Sequence, residues 1–219
     1  MAKELELKIT DIEKKEVLGR LKKLGAKYVG TYNFKRIIAF PQKQDKRYEG
    51  WFRVRTDGKE HVITFKQRKR GTELEFMDKF QVVVDSLDDA IEILKRFSDK
   101  LLYFENKRIQ YMFKGVKVTV DKWPYLPWSL ELEGDTPKQV LACFRELDIK
   151  GRIVGNASGG EGYKIYGMEY EKVGREQIHM LKDMSSKKVV AEWIEKVDNN
   201  EIAKNLSSLD RAIRSNKMR

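Results

Sequence analysis

The chain has 219 residues, 36% of them charged and 41% hydrophobic, and Lys and Arg outnumber Asp and Glu by 45 to 34. A chain of this length can bury one good core, as one domain or as one domain with an appendage. It has no apolar run of the length that crosses a membrane and no signal-peptide pattern at its N-terminus, so we expect a cytoplasmic protein. The net charge of +11 favours polyanionic partners, either nucleic acid or a small polyphosphate.

The chain has a single cysteine, Cys143. One cysteine cannot form an internal disulfide, and its presence fits a reducing cytoplasm. Because Cys143 falls within the apolar pattern of a predicted helix, we expect a packed thiol rather than a nucleophile.

Charged and apolar residues alternate in residues 4–9, as they do in a β-strand with two different faces. One face carries Glu4, Glu6 and Lys8, which are unusual residues to point into a core. Such a face lies either in water or in a site that uses the charges. The same alternation recurs in residues 51–55, 64–68 and 130–133, and four such segments suggest one polar interior.

Three segments have the apolar spacing of an amphipathic helix. The first covers about residues 12–24, with Asp11 as the expected N-cap and Gly25 at its end. The second is opened by Ser86 and carries apolar residues as far as Phe97. The third has Pro137 in its first turn, where proline is tolerated, and extends to about residue 147.

Strand patterns with turn residues between them make up most of the remaining chain to about residue 133. Few helices and roughly eight strands predict an α+β protein with a strongly curved or closed antiparallel sheet. The strands are expected at residues 4–9, 34–40, 51–56, 61–67, 80–84, 108–113, 116–121 and 130–133.

The C-terminal part of the chain differs in composition. Residues 155–162 are rich in glycine and serine and predict a mobile loop. Beyond them, residues 174–219 are polar and mostly helical in pattern, with an amphipathic face that includes Trp193. We interpret this part as a helical appendage that docks on the sheet or on a partner.

Charged residues occupy alternate positions of the central strands, while the positions between them are apolar and can pack under helices. Charges that face an interior are costly unless they are paired or bind a ligand. Arg and Lys can hold phosphate oxygens, and clustered carboxylates can hold Mg²⁺ or Mn²⁺. The charged residues at these positions are Arg53, Arg55, Lys66, Arg68, Lys117 and Asp121.

In its ordered charged motifs, the sequence resembles the CYTH superfamily, also called triphosphate tunnel metalloenzymes. The resemblance covers about residues 1–170 and begins with an acidic-acidic-basic motif at alternate positions of the first strand. The matching residues, in order, are Glu4, Glu6, Lys8, Arg53, Arg55, Lys66, Lys107, Arg108, Asp121, Glu131 and Glu133, followed by Gly162-Tyr163-Lys164.

The resemblance implies an eight-stranded antiparallel β-barrel, open as a tunnel, that binds triphosphate compounds with Mg²⁺ or Mn²⁺. We therefore expect a tunnel domain at residues 1–170, flanked by the helices that the apolar spacing predicts, and the helical pattern beyond it predicts a C-terminal helical extension at residues 171–219. By the same resemblance, the metal ligands are Glu4, Glu6, Asp121, Glu131 and Glu133. The phosphate-binding residues are Lys8, Arg53, Arg55, Lys66, Arg68 and Arg108, and the residues assigned to catalysis are Lys8, Lys66, Arg108 and Lys164.

The type of reaction depends on which nucleophile attacks the triphosphate. Attack by water on the terminal phosphorus makes a phosphohydrolase, which is the activity that we expect. Attack by the ribose hydroxyl of ATP on the α-phosphorus would make a class IV-type adenylyl cyclase, which releases pyrophosphate. A third alternative is a protein that binds polyphosphate or RNA 5′ ends without turnover. The expected partner is a small triphosphate compound, and nucleic acid is not favoured as a partner. The sequence leaves open whether the protein forms a homodimer.

Overall fold

The computed structural model describes residues 2–43, 46–69, 77–98, 101–155 and 159–177; only the backbone is described for residues 2–4, 68, 69 and 77. In these ranges the strands are β1 (Ala2–Thr10), β2 (Lys27–Ala39), β3 (Tyr48–Thr56), β4 (His61–Lys69), β5 (Met77–Val84), β6 (Leu101–Phe113), β7 (Val116–Lys122), β8 (Trp128–Gly134) and β9 (Arg152–Gly155). The helices are α1 (Lys14–Lys23), α2 (Leu87–Phe97), α3 (Pro137–Leu147), α4 (Gly159–Ile165) and α5 (Tyr170–Glu176). None of these helices has the length and apolar content to cross a membrane.

The nine strands form one antiparallel sheet in the order β5-β4-β3-β2-β6-β7-β8-β1-β9. The sheet curls back on itself, because the first residues of β1 also pair with β5 over three positions, from Ala2 opposite Lys79 to Glu4 opposite Met77. From Lys8 onwards, the same side of β1 pairs with β9 instead. The predicted α+β fold with an antiparallel sheet is confirmed, and the sheet has nine strands where eight were expected.

The outer face of the curved sheet is covered by three helices. The outward residues of β1, which include Leu5, Leu7 and Ile9, pack in a cluster with Val17 of α1 and Val140 of α3. In a second cluster, α2 packs on the outer faces of β2, β3 and β6. Burial of apolar side chains on this face leaves the alternate residues of each strand to face the interior.

The first helix begins later than predicted. Asp11 has a positive φ of 59° and precedes the helix, and the N-cap is Glu13, whose side chain accepts a hydrogen bond from the backbone N–H of Lys15. Ser86 caps α2 through the backbone N–H of Asp89, as the sequence predicts. Cys143 is buried in the cluster under α3, which confirms a packed thiol.

The predicted loop at residues 155–162 includes the start of a helix, because α4 begins at Gly159. Helices α4 and α5 pack against the inward face of the sheet, where Tyr163 and Val173 meet Leu102 and Phe104 of β6. The predicted boundary after residue 170 falls at the start of α5. Residues 178–219, which carry most of the predicted appendage, lie outside the described residues, and the division into two parts stays a prediction.

Candidate functional site

A cavity of about 170 Å³ lies inside the curved sheet, and charged side chains from eight of its strands, β1 to β8, line it. Cations outnumber carboxylates there. The lining cations are Lys8, Arg36, Arg53, Arg55, Lys66, Lys79, Arg108 and Lys117, and the lining carboxylates are Glu6, Glu131 and Glu133.

Strand alternation explains why these charges share one interior. Glu6 and Lys8 face the cavity because their neighbours Leu5, Leu7 and Ile9 pack under the helices. Residues that are opposite in an antiparallel pair point to the same face of the sheet. The charged face that the sequence shows at residues 4–9 is therefore part of the cavity wall from Glu6 onwards.

Arg108 of β6 is held by two carboxylates from the next two strands. Its Nε donates to Oδ1 of Asp121 at 2.8 Å, and its Nη2 donates to Oδ2 of Asp121 at 2.6 Å. The same Nη2 donates to Oε2 of Glu131 at 2.7 Å. A guanidinium held by such charge-assisted hydrogen bonds has a fixed orientation in the cavity wall.

Lys8 completes this network from β1, because its Nζ lies 3.0 Å from Oε1 of Glu131. Burial opposes the charged form of both groups. The charge of Glu131, with that of Glu6, outweighs burial and raises the pKa of Lys8. In turn, Lys8 and Arg108 outweigh burial at Glu131 and hold the pKa of that carboxyl well below its usual range.

Asp121 lies behind the cavity wall and is 0% exposed. Besides Arg108, it accepts a hydrogen bond from Nδ2 of Asn106 at 3.2 Å. Asn106 in turn accepts a hydrogen bond from Nε of Arg36 at 2.6 Å, so a hydrogen-bonded chain joins Asp121 to a second arginine. Burial, followed by the charge of Glu131, raises the pKa of Asp121 against the effect of Arg108.

Arg36 is the most strongly buried of the cavity cations, at 3% exposure. Its Nη2 has no hydrogen-bond partner in the part of the chain that the structure describes. Burial, and then the positive charges of Arg53 and Arg108, lower the pKa of Arg36 well below its usual range. A buried guanidinium beside two others is unfavourable unless an anion enters the cavity.

Aromatic rings support this arginine cluster. The Arg36 Cζ atom lies 4.9 Å from the ring centroid of Trp123 and 5.1 Å from that of Phe34. The ring centroid of Phe34 also lies 4.5 Å from the Cζ atom of Arg55. Cation–π contacts stabilise a positive charge without neutralising it, so the cluster keeps its attraction for anions.

Two carboxylates provide the oxygen donors that a divalent cation prefers. Glu6 and Glu133 are opposite in the register of β1 and β8, and both line the cavity. Lys117 is ion-paired with Glu133. Among the residues whose side chains are described, no three Asp, Glu, His or Cys residues form a metal-binding group. Two carboxylates alone would hold a divalent cation only together with ligands that the described side chains do not supply.

Tyrosines of α4, of α5 and of the turn that follows α4 contribute to the cavity wall. Tyr163, Tyr166 and Tyr170 all line it. The Tyr170 ring stacks on Phe104 with centroids 4.6 Å apart, and the Tyr166 hydroxyl lies 2.7 Å from the hydroxyl of Thr10. The C-terminal helices therefore contribute to the site, whereas the sequence predicts such a contribution only at residues 162–164.

Most of the predicted site residues come together in this cavity. Glu6, Lys8, Arg53, Arg55, Lys66, Arg108, Glu131 and Glu133 line it, and Asp121 lies directly behind it. Lys164 is exposed on α4 and is not among the lining residues. The side chains of Glu4 and Arg68 lie outside the described residues. The roles assigned to all of these residues stay predictions.

Three lining cations are absent from the predicted set: Arg36, Lys79 and Lys117. Lys117 lies at an alternate, charged position of its strand, but no motif assigns it a role. Lys79 has the same alternation, with apolar Phe80 between it and polar Gln81. Arg36 lacks this signal, because it follows Lys35 directly and precedes the apolar residues 37–40, so charged and apolar residues do not alternate around it. Its partner Asn106 could not be identified from local sequence, because the two residues belong to different strands.

Comparison with known proteins identifies the family. The CYTH domain model matches residues 2–157. The PH1012 protein from Pyrococcus horikoshii OT3 is similar in structure, with a TM-score of 0.58 and 20% identity over 67% of this chain and 91% of that one. The PH1819 protein from the same organism gives a TM-score of 0.55 and 21% identity over 68% and 92%.

A candidate adenylate cyclase from Vibrio parahaemolyticus gives a TM-score of 0.52 and 13% identity, over 68% of this chain and 90% of that one. The comparison with curated proteins found no match. At these identities the structural matches show the fold alone, whereas the family model covers most of the chain. The chain therefore belongs to the CYTH domain family.

Proposed function

We propose that this chain hydrolyses a triphosphate compound with the help of a divalent cation, Mg²⁺ or Mn²⁺. One observation carries the proposal: eight cationic side chains and three carboxylates line a single cavity inside the sheet. The excess of cations suits a ligand with several negative charges. The carboxylates suit a metal that bridges such a ligand to the protein.

The shape of the site favours a small polyphosphate over nucleic acid. The cations lie inside a cavity of about 170 Å³, in contrast to the exposed basic surfaces that contact a nucleic-acid backbone. A linear chain of phosphate groups can lie within such a cavity, whereas a duplex cannot enter it. The cavity therefore supports a small triphosphate as the ligand.

The arginines and lysines would hold the phosphate oxygens. Arg108 is positioned by Asp121 and Glu131, so its remaining N–H groups keep a fixed direction. Arg36 brings an unsatisfied Nη2 to the same wall, and an anionic oxygen would satisfy it. Preorganised donors of this kind stabilise charge that develops on a transferring phosphoryl group.

Glu6 and Glu133 would hold the cation, with Glu4 as a further ligand by family resemblance. A bound divalent ion supplies charge neutralisation and polarisation at the phosphoryl oxygens. In the proposed reaction, the oxygen of a water molecule forms a bond to the terminal phosphorus. The bond from that phosphorus to its bridging oxygen breaks, and tripolyphosphate would give phosphate and pyrophosphate.

Product analysis tests the proposal. The full chain is incubated with tripolyphosphate, ATP or thiamine triphosphate, each with Mg²⁺ or Mn²⁺ and each with EDTA. We expect phosphate release that EDTA abolishes. Cyclic AMP with stoichiometric pyrophosphate would show a cyclase instead, and the candidate cyclase among the structural relatives makes this product worth measuring. Tight binding without any product would show a binding protein.

A further inference from the structure

A second pocket, of about 510 Å³, adjoins the cavity, because Trp123 lines both. Its volume falls in the range of about 300–1,000 Å³ that is typical of small-molecule sites. Phe34 and Asn106 line it from β2 and β6. Each lies two positions before an arginine of the cavity, Arg36 or Arg108, so both side chains point to the inward face. The second pocket therefore continues the inward face of the sheet beyond the cavity.

Three aromatic residues line the second pocket, namely Phe34, Trp123 and Tyr125. Pro124 and Tyr125 are the central residues of a turn, which is closed by a hydrogen bond of 3.3 Å from the Leu126 backbone N–H to the Trp123 carbonyl. Tyr125 has a positive φ of 61°, a conformation that is costly for a residue other than glycine and that is concentrated at functional sites. Aromatic rings provide flat apolar surfaces on which a planar heterocycle stacks.

Two buried amide side chains also line the second pocket. Asn106 is 3% exposed, and Gln177, which follows α5, is 4% exposed. Asn106 is hydrogen-bonded to Arg36 and Asp121, whereas the Oε1 atom of Gln177 has no hydrogen-bond partner among the described residues. A buried amide oxygen without a partner is unfavourable, and an N–H donor of a ligand would remove that cost. Glutamine pairs with adenine in this way, through the amino group and a ring nitrogen of the base.

The charged residues beside the second pocket either point away from it or are engaged. Lys35, Glu105 and Lys107 occupy the intervening positions of the paired strands β2 and β6, so their side chains point to the outer face. There Glu105 accepts a hydrogen bond of 2.6 Å from Tyr103, which packs under α2. Lys122 donates to a backbone carbonyl of the turn that follows it. The second pocket therefore offers amides and aromatic rings, which suit an uncharged ring better than a phosphate group.

We propose that the second pocket binds an amino-substituted heterocyclic base of the adenine type, as part of a nucleoside or nucleotide. The base lies against the aromatic rings, and its amino group donates to Gln177. It belongs either to the triphosphate substrate, in which case this inference rests on the proposed function, or to a separate nucleotide. Phe34 and Trp123 lie against the Arg36 guanidinium, and Asn106 accepts its hydrogen bond. The second pocket and the cavity therefore share one wall.

Calorimetric titration of the full chain with adenosine tests the second pocket, and the result does not depend on hydrolysis because adenosine carries no phosphate. We expect the wild type to bind purine riboside, which lacks the amino group, at least fivefold more weakly than adenosine, and Gln177→Leu to abolish that difference. Tyr125→Ala should weaken adenosine binding at least tenfold, whereas Tyr125→Phe keeps the ring and should bind as the wild type does. Tyr28→Ala is the matched control, because Tyr28 is 54% exposed on β2 and lines neither site. A wild type that does not bind adenosine, or equal affinities of Tyr125→Ala and Tyr28→Ala, overturns the proposal.

Tripolyphosphate distinguishes the two sources of the base when the wild type is titrated with AMP and with adenosine in EDTA. If the base is that of the substrate, the phosphate of AMP enters the cavity, so saturating tripolyphosphate should weaken AMP binding at least tenfold and leave adenosine binding unchanged. Equal binding of AMP with and without tripolyphosphate would identify a separate nucleotide. Loss of adenosine binding in tripolyphosphate would place both ligands in the cavity and contradict a distinct second pocket. A chain that binds adenosine but not tripolyphosphate would contradict the proposed function and leave the second pocket supported.

Discussion

Arg108 holds the buried Asp121 by two hydrogen bonds, of 2.8 and 2.6 Å, and its Nη2 also donates to Glu131. The three residues belong to β6, β7 and β8, which are consecutive neighbours in the sheet. The network therefore joins three strands and fixes one guanidinium in the cavity wall. Because Asp121 is the buried anion of this network, its carboxylate is important for both the stability of the fold and anion binding.

Asp121→Asn should destabilise the protein and weaken phosphate binding. The substitution removes the anionic partner that takes two of the hydrogen bonds of Arg108, and breaking a buried ion pair costs about 3–5 kcal/mol. We expect a decrease of about 3 kcal/mol in the free energy of unfolding, because Glu131 still holds Nη2. Urea denaturation measures this change, and calorimetric titration with tripolyphosphate measures the loss of affinity.

Asp148→Asn is the matched control for this prediction. Asp148 accepts a hydrogen bond from Arg20 at 2.9 Å, but the pair lies at the surface, and the Asp148 side chain is 79% exposed. Exposed ion pairs contribute about 0–1 kcal/mol. Equal losses of stability in the two variants would contradict a special role for the buried network.

Arg36→Met should weaken tripolyphosphate binding at least tenfold and should change the stability of the ligand-free protein by only about 1 kcal/mol, because relief of charge repulsion opposes the loss of the hydrogen bond to Asn106. The buried guanidinium of Arg36 has an unsatisfied Nη2 and lies near the like charges of Arg53 and Arg108. An apolar side chain of similar length removes that repulsion. Thermal unfolding with and without tripolyphosphate measures both effects, because the increase in melting temperature that a ligand causes grows with the logarithm of its concentration divided by its Kd.

Arg96→Met provides the comparison for Arg36. Arg96 is an exposed residue in the last turn of α2, outside the cavity. It should change neither the affinity for tripolyphosphate nor the ligand-induced increase in melting temperature by a measurable amount. If Arg36→Met binds tripolyphosphate as tightly as Arg96→Met does, then Arg36 is not part of the anion site.

The sequence predicts the inward face of the sheet well where charged and apolar residues alternate. Glu6, Lys8, Arg53 and Lys66 all lie at such positions and all line the cavity. Alternation is a local property of one strand, so it can be read without knowledge of the strand's neighbours. The covering helices are predicted for the same reason, because their apolar stripes are local too.

Features that depend on pairing between distant strands could not be predicted. The chain that joins Arg36, Asn106 and Asp121 involves three strands, and nothing in the local sequence of β2 indicates its partner. The ninth strand is only four residues long and pairs with the far end of β1. Helix α4 was missed because Gly159 and Gly162 have low helix propensity, and its packing on the core outweighs that preference.

Glu6→Gln should abolish metal-dependent hydrolysis without loss of the fold. The glutamine keeps the size of the side chain but removes a negative oxygen donor from the pair with Glu133. We expect turnover with Mg²⁺ to fall at least 100-fold. In EDTA, tripolyphosphate should bind as tightly as to the wild type or more tightly, because the substitution removes a negative charge from the cavity.

Glu60→Gln controls for the general effect of neutralising a carboxylate, because Glu60 is exposed outside the cavity. It should keep wild-type turnover and wild-type binding. Loss of tripolyphosphate binding in EDTA by Glu6→Gln would contradict a role limited to the metal and would indicate a structural role for Glu6.

Glu176→Gln should stabilise the protein at pH 8 and have little effect at pH 4. Glu176 is 7% exposed, and neither of its carboxylate oxygens has a hydrogen-bond partner within the described part of the chain. Burial raises the pKa of this carboxyl from 4.5 to about 7. The folded state therefore binds the proton more tightly than the unfolded state, and this contribution to stability is present below pH 4.5 and is lost as the pH rises through about 7.

Glutamine imitates the protonated carboxyl at every pH, so the difference in melting temperature between Glu176→Gln and the wild type should grow between pH 4.5 and pH 7 and then level off. Glu171→Gln, an exposed change on the same helix, should show no such growth. Melting curves at intervals of half a pH unit make the comparison. A constant difference across this range would mean that Glu176 titrates at its ordinary pKa in the folded protein.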